Sequence, residues 1–285
     1  MRIPFQHQTD RCYNSEMSNE RVDPGASSAR RRSPERAEAT ELSRPVGFEA
    51  PTGADAPIVD VMATMRAMRR LRPDPVPRHI IEEIVQAATW APSGSDAQHY
   101  GFIAVTDRQQ MAALAELWRD VVETYMTLMG TVVPDAADER HARMAGALEY
   151  QAEHFDETPV VIAACYRRSG LGSLADPRAA VTTAKSLGAS RLWKLARGGR
   201  AASGLAEASS IYPAVQNLLL AARAHGLGAT LTIWHLFREA DFRRVLGVPN
   251  EMGIYALVPM GYPLGNFGPV RRRAVSEVLH WDRWG

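Results

Sequence analysis

The sequence predicts an α+β fold, with mixed helix and strand layers around one sheet. Three observations predict it. Apolar residues recur at steps of three and four over several stretches, as amphipathic helices require. Short apolar runs of strand length stand between them, at 101–105, 159–165, 228–233 and 254–258. These runs are interspersed among helices and joined by long helical connections, which suits helices layered on one sheet.

Residues 1 to about 57 are rich in Arg, Glu, Ser, Pro and Ala. Such a segment buries too little apolar surface to offset chain entropy and reads as a disordered arm. Its Arg30, Arg31 and Arg32 fit a solvated tail or an over-extended gene start, with contact to an anionic partner as the alternative. One domain then runs over 58–285. Ile80, Ile81, Ile84, Val85 and Ala88 predict a helix over 78–90, with Pro75 and Pro77 just before it. Residues 101–105 form a strand, and Asp107 caps a long helix. On that helix Met111, Leu114, Trp118, Val121, Tyr125 and Leu128 make a stripe suited to the core or to a dimer interface. The pattern breaks over 130–137, and a second helix covers about 138–155. Residues 159–165 read as a buried strand.

Residues 167–207 are basic and rich in Gly, Ala and Ser, and read as a long loop, either a lid or a disordered insertion. Trp193, their one large aromatic residue, either covers a substrate or anchors the loop. Residues 208–225 are an apolar helix with Val215, Leu218, Leu219 and Ala222 on one side, stopped by Gly226. A strand at 228–233, a short helix at 239–246 closed by Gly247, and a strand at 254–258 complete the domain.

The 285 residues are 46% hydrophobic and 23% charged, an ordinary globular profile. A net charge of +1 gives no global field toward nucleic acid or a membrane. Cys12 lies in the arm and Cys165 in an apolar run, so no disulfide is expected and a reducing, cytoplasmic setting fits. The first ten residues lack the apolar core of a signal peptide, and no apolar run reaches the ~18 residues that span a bilayer. Gly226-Leu-Gly228 and Gly170-Leu-Gly172 lack the third glycine of a dinucleotide fingerprint. Phosphate-loop, His-Glu-x-x-His, Cys-x-x-Cys and Gly-x-Ser-x-Gly patterns are absent. The histidines are scattered, so no metal site is expected. His99, His235 and His280 suit surface or satisfied core positions.

What remains are phosphate- and ring-binding features. Arg66 and Arg69 lie three apart, which on a helix places both guanidinium groups on one face. Such a pair grips a phosphate through bidentate bonds. The helix that follows ends in a small-residue turn, Pro92, Ser93, Gly94 and Ser95, which lets backbone N–H groups approach a ligand. Arg271, Arg272 and Arg273 form a second basic cluster, in which strand geometry points Arg272 away from its neighbours. A charge run alone is more often a solvated face.

The string Arg66-Ala-Met-Arg-Arg-Leu-Arg-Pro-Asp-Pro-Val-Pro77, followed by Ala87-Ala-Thr-Trp-Ala-Pro-Ser-Gly94, resembles the start of the FMN-dependent nitroreductase family. Residues 221–230, 246–249, 257–263 and 271–280 resemble its closing segments in the same order. The resemblance covers about 59–285, with 167–207 poorly matched. It implies the family's fold, a central, mostly antiparallel sheet flanked by helices, and an intertwined homodimer that binds FMN at its interface. It assigns Met65, Arg66, Ala67, Met68 and Arg69 to the ribityl phosphate and ring. Pro92, Ser93 and Gly94 line the flavin of the other subunit. Leu231, Thr232 and Ile233 pass the flavin through backbone groups, and Arg272 binds phosphate. Gln98 matches the family's Gln. Asp96 stands where Asn is usual, and a carboxylate cannot donate a hydrogen bond to the flavin. Asp96 must therefore turn away, be protonated or pair with an Arg. Ala67 replaces a common Ser, and Ala274 a frequent Pro.

By the same resemblance no side chain is catalytic, because the flavin carries the redox chemistry. NAD(P)H is the donor, and nitroaromatic, quinone or enone-like compounds are the acceptors of a ping-pong hydride mechanism. The segments 119–157, with Tyr125, Tyr150 and Phe155, and 167–207 set acceptor choice. The alternatives are reductive dehalogenation, flavin or dehydrogenase oxidation, and a flavin-binding sensor or store without turnover. A nucleic-acid-binding role through Arg30–Arg32 and the basic 185–200 segment conflicts with the near-zero charge and missing recognition motifs. No acidic residue at a defined ribose site chooses between NADH and NADPH.

Overall fold

The computed structural model describes residues 52–53, 55–132, 139–168 and 177–284. Nearly all of the arm, with Arg30–Arg32 and Cys12, lies outside them. Six α-helices and four strands appear among the described residues. In order they are α1 (Ile58–Thr64), α2 (Arg78–Thr89), β1 (Tyr100–Val105), α3 (Arg108–Val132), α4 (Glu139–Glu153), β2 (Val160–Arg167), α5 (Pro177–Ala224), β3 (Gly228–Ala229), α6 (Glu239–Leu246) and β4 (Met252–Gly261). The strands form one antiparallel sheet in the order β1-β2-β4-β3. The mixed, mostly antiparallel α+β expectation therefore holds. No helix of the described residues is long and apolar enough to cross a membrane.

The apolar run of β2 is continuous because both faces of this strand are covered. Val160, Ile162, Ala164 and Tyr166 join one core, with Ile84 of α2 and Leu218 of α5. Val161, Ala163 and Cys165 join a second core on the other face, with Met111, Trp118, Leu148 and Phe242. Burial pushes the Cys165 thiol up to about 11, so it stays protonated and inert.

The helix stripes behave as their spacing demands. Ile81, Ile84 and Ala88 are buried on α2. Asp107 caps α3, its Oδ1 accepting from the Gln110 N–H at 2.8 Å. Met111, Leu114, Trp118 and Val121 are buried there and Tyr125 is half-buried, while Leu128 leaves the stripe and is exposed. Gly226 stops α5 in a left-handed conformation, φ 76°, with the Leu227 N–H bonded back to the Ala222 carbonyl at 2.8 Å.

Three stretches differ from their sequence reading. The described part of 167–207 is not a loop: Arg167 ends β2, and 177–207 form the N-terminal part of α5, with 169–176 outside the described residues. Pro177 sits at the helix start, where proline is favoured, and Ala, Leu, Lys and Arg between the glycines are good helix formers. The apolar 208–224 part is anchored in the core, and tertiary packing of this kind supports a helix beyond its own propensity. Trp193 is exposed, not a buried anchor. The strand read over 228–233 pairs regularly only over β3, and Thr232 makes an isolated bridge to Leu257. Strand β4 is longer than 254–258 and carries a bulge. Cys165 faces Ile254 and Ala164 faces Ala256, which leaves Tyr255 as the extra residue.

His235 is fully buried, and its Nε2 donates to the Ile254 carbonyl at 3.0 Å. Burial holds its pKa below the ordinary 6.5, more strongly than that bond and nearby Glu239 raise it. The unfolded chain therefore takes the proton first. The stability this ring contributes is complete above 6.5 and is lost as pH falls from there through the lowered folded value. Urea midpoints measured from about pH 8 to about pH 5 should fall more steeply for the wild type than for His235→Gln. Equal slopes would show that the ring does not report burial.

Candidate functional site

The site is built where the chain leaves α1. Thr64 ends that helix, donating through Oγ1 to the Asp60 carbonyl at 2.5 Å, and Met65 is already extended, φ −72° and ψ 122°. Residues 65–71 then run along β3. Ala67 bridges Ala229 in parallel, the Met68 N–H donates to the Ala229 carbonyl at 3.1 Å, and the Thr230 hydroxyl donates to the Met68 carbonyl at 3.1 Å. Gly228 permits this approach, since a Cβ there would come within 3.0 Å of the Met68 Cβ.

This corrects the helical reading of Arg66 and Arg69. The bonds to β3 hold the segment extended, and residues three apart in an extended chain point to opposite sides. Arg66 is exposed and donates through Nη2 to the Asn266 carbonyl at 2.7 Å. Arg69 turns into a cavity of about 460 Å³, within the rough 300–1,000 Å³ range of ligand sites. Its Nε is buried with no hydrogen-bond partner. Burial pushes its pKa below the ordinary guanidinium value, against an opposing effect of Tyr125.

Both core layers contribute to this cavity. Trp118 of α3, with Leu148 and Gln151 of α4, lines one side, and Tyr212 and Gln216 of α5 line the other. Residues 230–234 cross between them. Thr232 is held in both directions by Leu257, each bond 2.9 Å. Leu231 and Ile233 on either side of it are exposed. Trp234 stacks on Tyr125 with ring centroids 3.7 Å apart, and Trp118 lies 6.0 Å from Trp234 and 5.3 Å from Phe155. The Tyr212 hydroxyl donates to the Tyr255 carbonyl at 3.2 Å, and the Tyr255 hydroxyl bonds Glu207. The bulge thus fixes α5 against the sheet beside the cavity.

Of the residues singled out in the sequence, the chain brings Arg69, Leu231, Thr232 and Ile233 together. Met65 packs half-buried against the core, Met68 is buried beneath β3, and Ala67 is exposed. Pro92, Ser93, Gly94 and Asp96 lie in a separate loop, held by the Gly94 N–H donating to Ser210 Oγ at 3.0 Å. The Asp96 carboxylate accepts from Gln98 Nε2 at 2.9 Å, so it pairs with an amide rather than an Arg. Arg272 is exposed and donates to the Arg271 carbonyl at 2.9 Å. His99 is exposed, and His280 stacks on Trp284 with centroids 4.2 Å apart. Trp118, Gln151, Tyr212 and Trp234 were not singled out as site residues. Only Gln151 carried a signal, a polar residue beside Leu148 and Ala152 on the buried side of α4.

A larger groove, about 780 Å³, lies between the 73–89 segment and Ala104, Thr106 and Pro159. Its charged groups are already engaged, Arg78 with Glu82 at 3.1 Å and Arg108 with the Thr158 and Pro159 carbonyls. The smaller cavity with its unpartnered cation is the better candidate.

A two-sided α+β core with a cavity at the β3 edge of its sheet, lined by Arg69, is an arrangement suited to an anionic group. The model of the nitroreductase family matches residues 62–262, and the chain belongs to that family. It is 28% identical over 233 residues to a Thermus thermophilus protein named NADH dehydrogenase, covering 80% of this chain and 98% of the relative. It is 26% identical to a Methanothermobacter thermautotrophicus protein named putative NADH dehydrogenase/NAD(P)H nitroreductase, covering 80% and 87%. Oxidized iodotyrosine deiodinase bound to FMN and 3-iodo-L-tyrosine shares the fold, with a TM-score of 0.55 and 17% identity over 80% of this chain and all of that one. The family and these relatives support flavin-dependent oxidoreduction. The residues present fit a flavin phosphate or carbonyl edge, because Arg69 offers a buried N–H with no partner of its own.

Proposed function

We propose that the protein is an FMN-dependent oxidoreductase that takes electrons from NADH or NADPH and reduces small organic acceptors such as nitroaromatics and quinones. Arg69 carries this reading. Its half-buried guanidinium has no ion-pair partner among the described residues and lines a cavity bounded by 230–234. A cation desolvated without a partner is costly and suits a bound anion. Bound FMN would supply the hydride-transfer chemistry. Arg69 would hold its electron-rich edge, and Leu231 and Ile233 would offer it backbone groups, since Thr232 is committed to Leu257.

The same reading includes a homodimer. Pro92, Ser93, Gly94, Asp96 and Arg272 stand away from the cavity of their own chain, where a second copy can use them. Exposed Trp90, Leu264, Val278, Trp281 and Trp284 offer it apolar surface. The cytoplasm is the setting proposed for the enzyme, and residues 1 to about 57 an arm outside its catalytic domain.

Purified protein should be yellow, and anaerobic NADH or NADPH should bleach its visible bands. A colourless protein that takes up no added FMN would end this proposal. Arg69→Leu should weaken FMN binding about tenfold or more, the scale of a hydrogen bond to a charged group. Its urea midpoint without FMN should not fall, because the substitution removes an uncompensated buried cation. A lower midpoint with unchanged FMN affinity would make Arg69 a structural residue.

A further inference from the structure

Arg223 is a buried cation that does not line the cavity and that the proposed function leaves unused. It stands in the last turn of α5 and is 1% exposed, next to Ala222 of the core. An aliphatic side chain there would cost the fold less than a charge taken out of water. What the guanidinium does that an aliphatic chain cannot is visible in its contacts.

On one side its Nε donates to the Thr64 hydroxyl at 3.0 Å. That hydroxyl donates in turn to the Asp60 carbonyl at 2.5 Å, which holds it against the end of α1. On the other side the guanidinium lies over the Phe267 ring, 4.1 Å from its centroid. Burial lowers the pKa of Arg223, and nearby Asp60 opposes this. Thr64 and Phe267 belong to two segments that also meet each other. The Val270 N–H donates to the Ala63 carbonyl at 2.9 Å, and Arg66 Nη2 to the Asn266 carbonyl at 2.7 Å. Residues 63–66 and 266–270 thus lie side by side, with Arg223 bound to both. The first segment continues along β3 and delivers Arg69 to the cavity, and the second leads into Arg271, Arg272 and Arg273.

We propose that Arg223 is a positioning residue: it clasps 63–66 to 266–270 and so fixes the direction in which the chain leaves α1 toward Arg69. A guanidinium suits this task, because it gives an edge N–H to Thr64 while its plane stays on an aromatic ring. A lysine ammonium has no such plane. The clasp stands on these contacts alone; that it serves FMN binding rests on the function proposed above.

Hydrogen exchange read by mass spectrometry on the full-length protein, with FMN titration of the same samples, tests this. Arg223→Lys should speed exchange at the amides of 63–66 and 266–270 and leave β2 and α3 unchanged. It should weaken FMN binding about tenfold, the scale of a hydrogen bond to a charged group. Thr64→Val, which removes the hydroxyl, should do the same, and Thr64→Ser, which keeps it, should match the wild type. Arg223→Lys combined with Thr64→Val should be no worse than either alone, since both break one bond. If Arg223→Lys does not fold, the two Thr64 variants decide. Exchange that rises evenly through the molecule would overturn the clasp, as would Thr64→Ser behaving like Thr64→Val. Faster exchange at the two segments with unchanged FMN affinity would overturn the positioning role and leave Arg223 purely structural. A wild type that takes up no FMN would end the function proposed above, while the exchange pattern would still decide the clasp.

Discussion

The β2–β4 pair is the constraint on which the rest of the molecule depends. Its residues alternate between two cores, so each strand holds together layers that never touch across the sheet. A large apolar side chain moved from water into such a core contributes about 1.5–3 kcal/mol, and a register slip of one residue would send every side chain of β2 to the wrong layer. Strand β3 sits at the edge of this pair and is only two residues long. Where it ends, the two layers part, and residues 230–234 cross the gap. The cavity lies there, lined by α3 and α4 from one layer and by α5 from the other.

The precision of that edge comes from close backbone approaches and one irregularity. Gly228 faces Gly261 in the sheet, and a Cβ at Gly261 would come within 2.8 Å of the Pro159 ring. With Gly228 beneath Met68, this leaves room for residues 65–71 to lie along β3, which aims Arg69 inward and Arg66 outward. The bulge at Tyr255 does the corresponding work for α5. It turns Tyr255 toward the helix, where its hydroxyl meets Glu207, and burial with that carboxylate raises the phenol well above its ordinary pKa. A phenol held protonated in this way remains a donor, so the joint between sheet and helix persists across the physiological range.

Much of this was legible in the sequence, and what was not has identifiable causes. Periodicity located α2, α3 and the apolar part of α5, because each buries one face against a core. The continuous run of β2 signalled a strand covered on both sides. Arg69, Leu231, Thr232 and Ile233 came from resemblance, and the chain brings them together. The helical placement of Arg66 and Arg69 failed because pairing with β3, distant in sequence, overrides local spacing. The N-terminal part of α5 was missed because its glycines and small residues resemble a loop, while tertiary packing of the part that follows supports the helix. Trp118 was read as packing, which it is, since its ring lies in the core. Its N–H is buried without a partner, and ring burial and N–H satisfaction are separate questions that periodicity cannot distinguish.

In a chain of nearly zero net charge, any preference of this cavity for an anion has a local origin. The formal balance of +1 gives no long-range field, so selectivity must arise locally. Among the described residues, the fold leaves one buried N–H each of a guanidinium, an indole and an amide without a hydrogen-bond partner there. Each unpaired donor weakens the unliganded fold, and at Arg69 the loss is recovered when an electron-rich group enters. Ligand binding and folding stability are therefore linked at this site, since whatever binds the folded chain alone stabilises it by RT ln(1 + L/Kd), L being its free concentration. An aliphatic residue in place of Arg69 would remove both the cost of a buried cation and the local attraction for an anion, whereas at Trp118 it would open a cavity in the core.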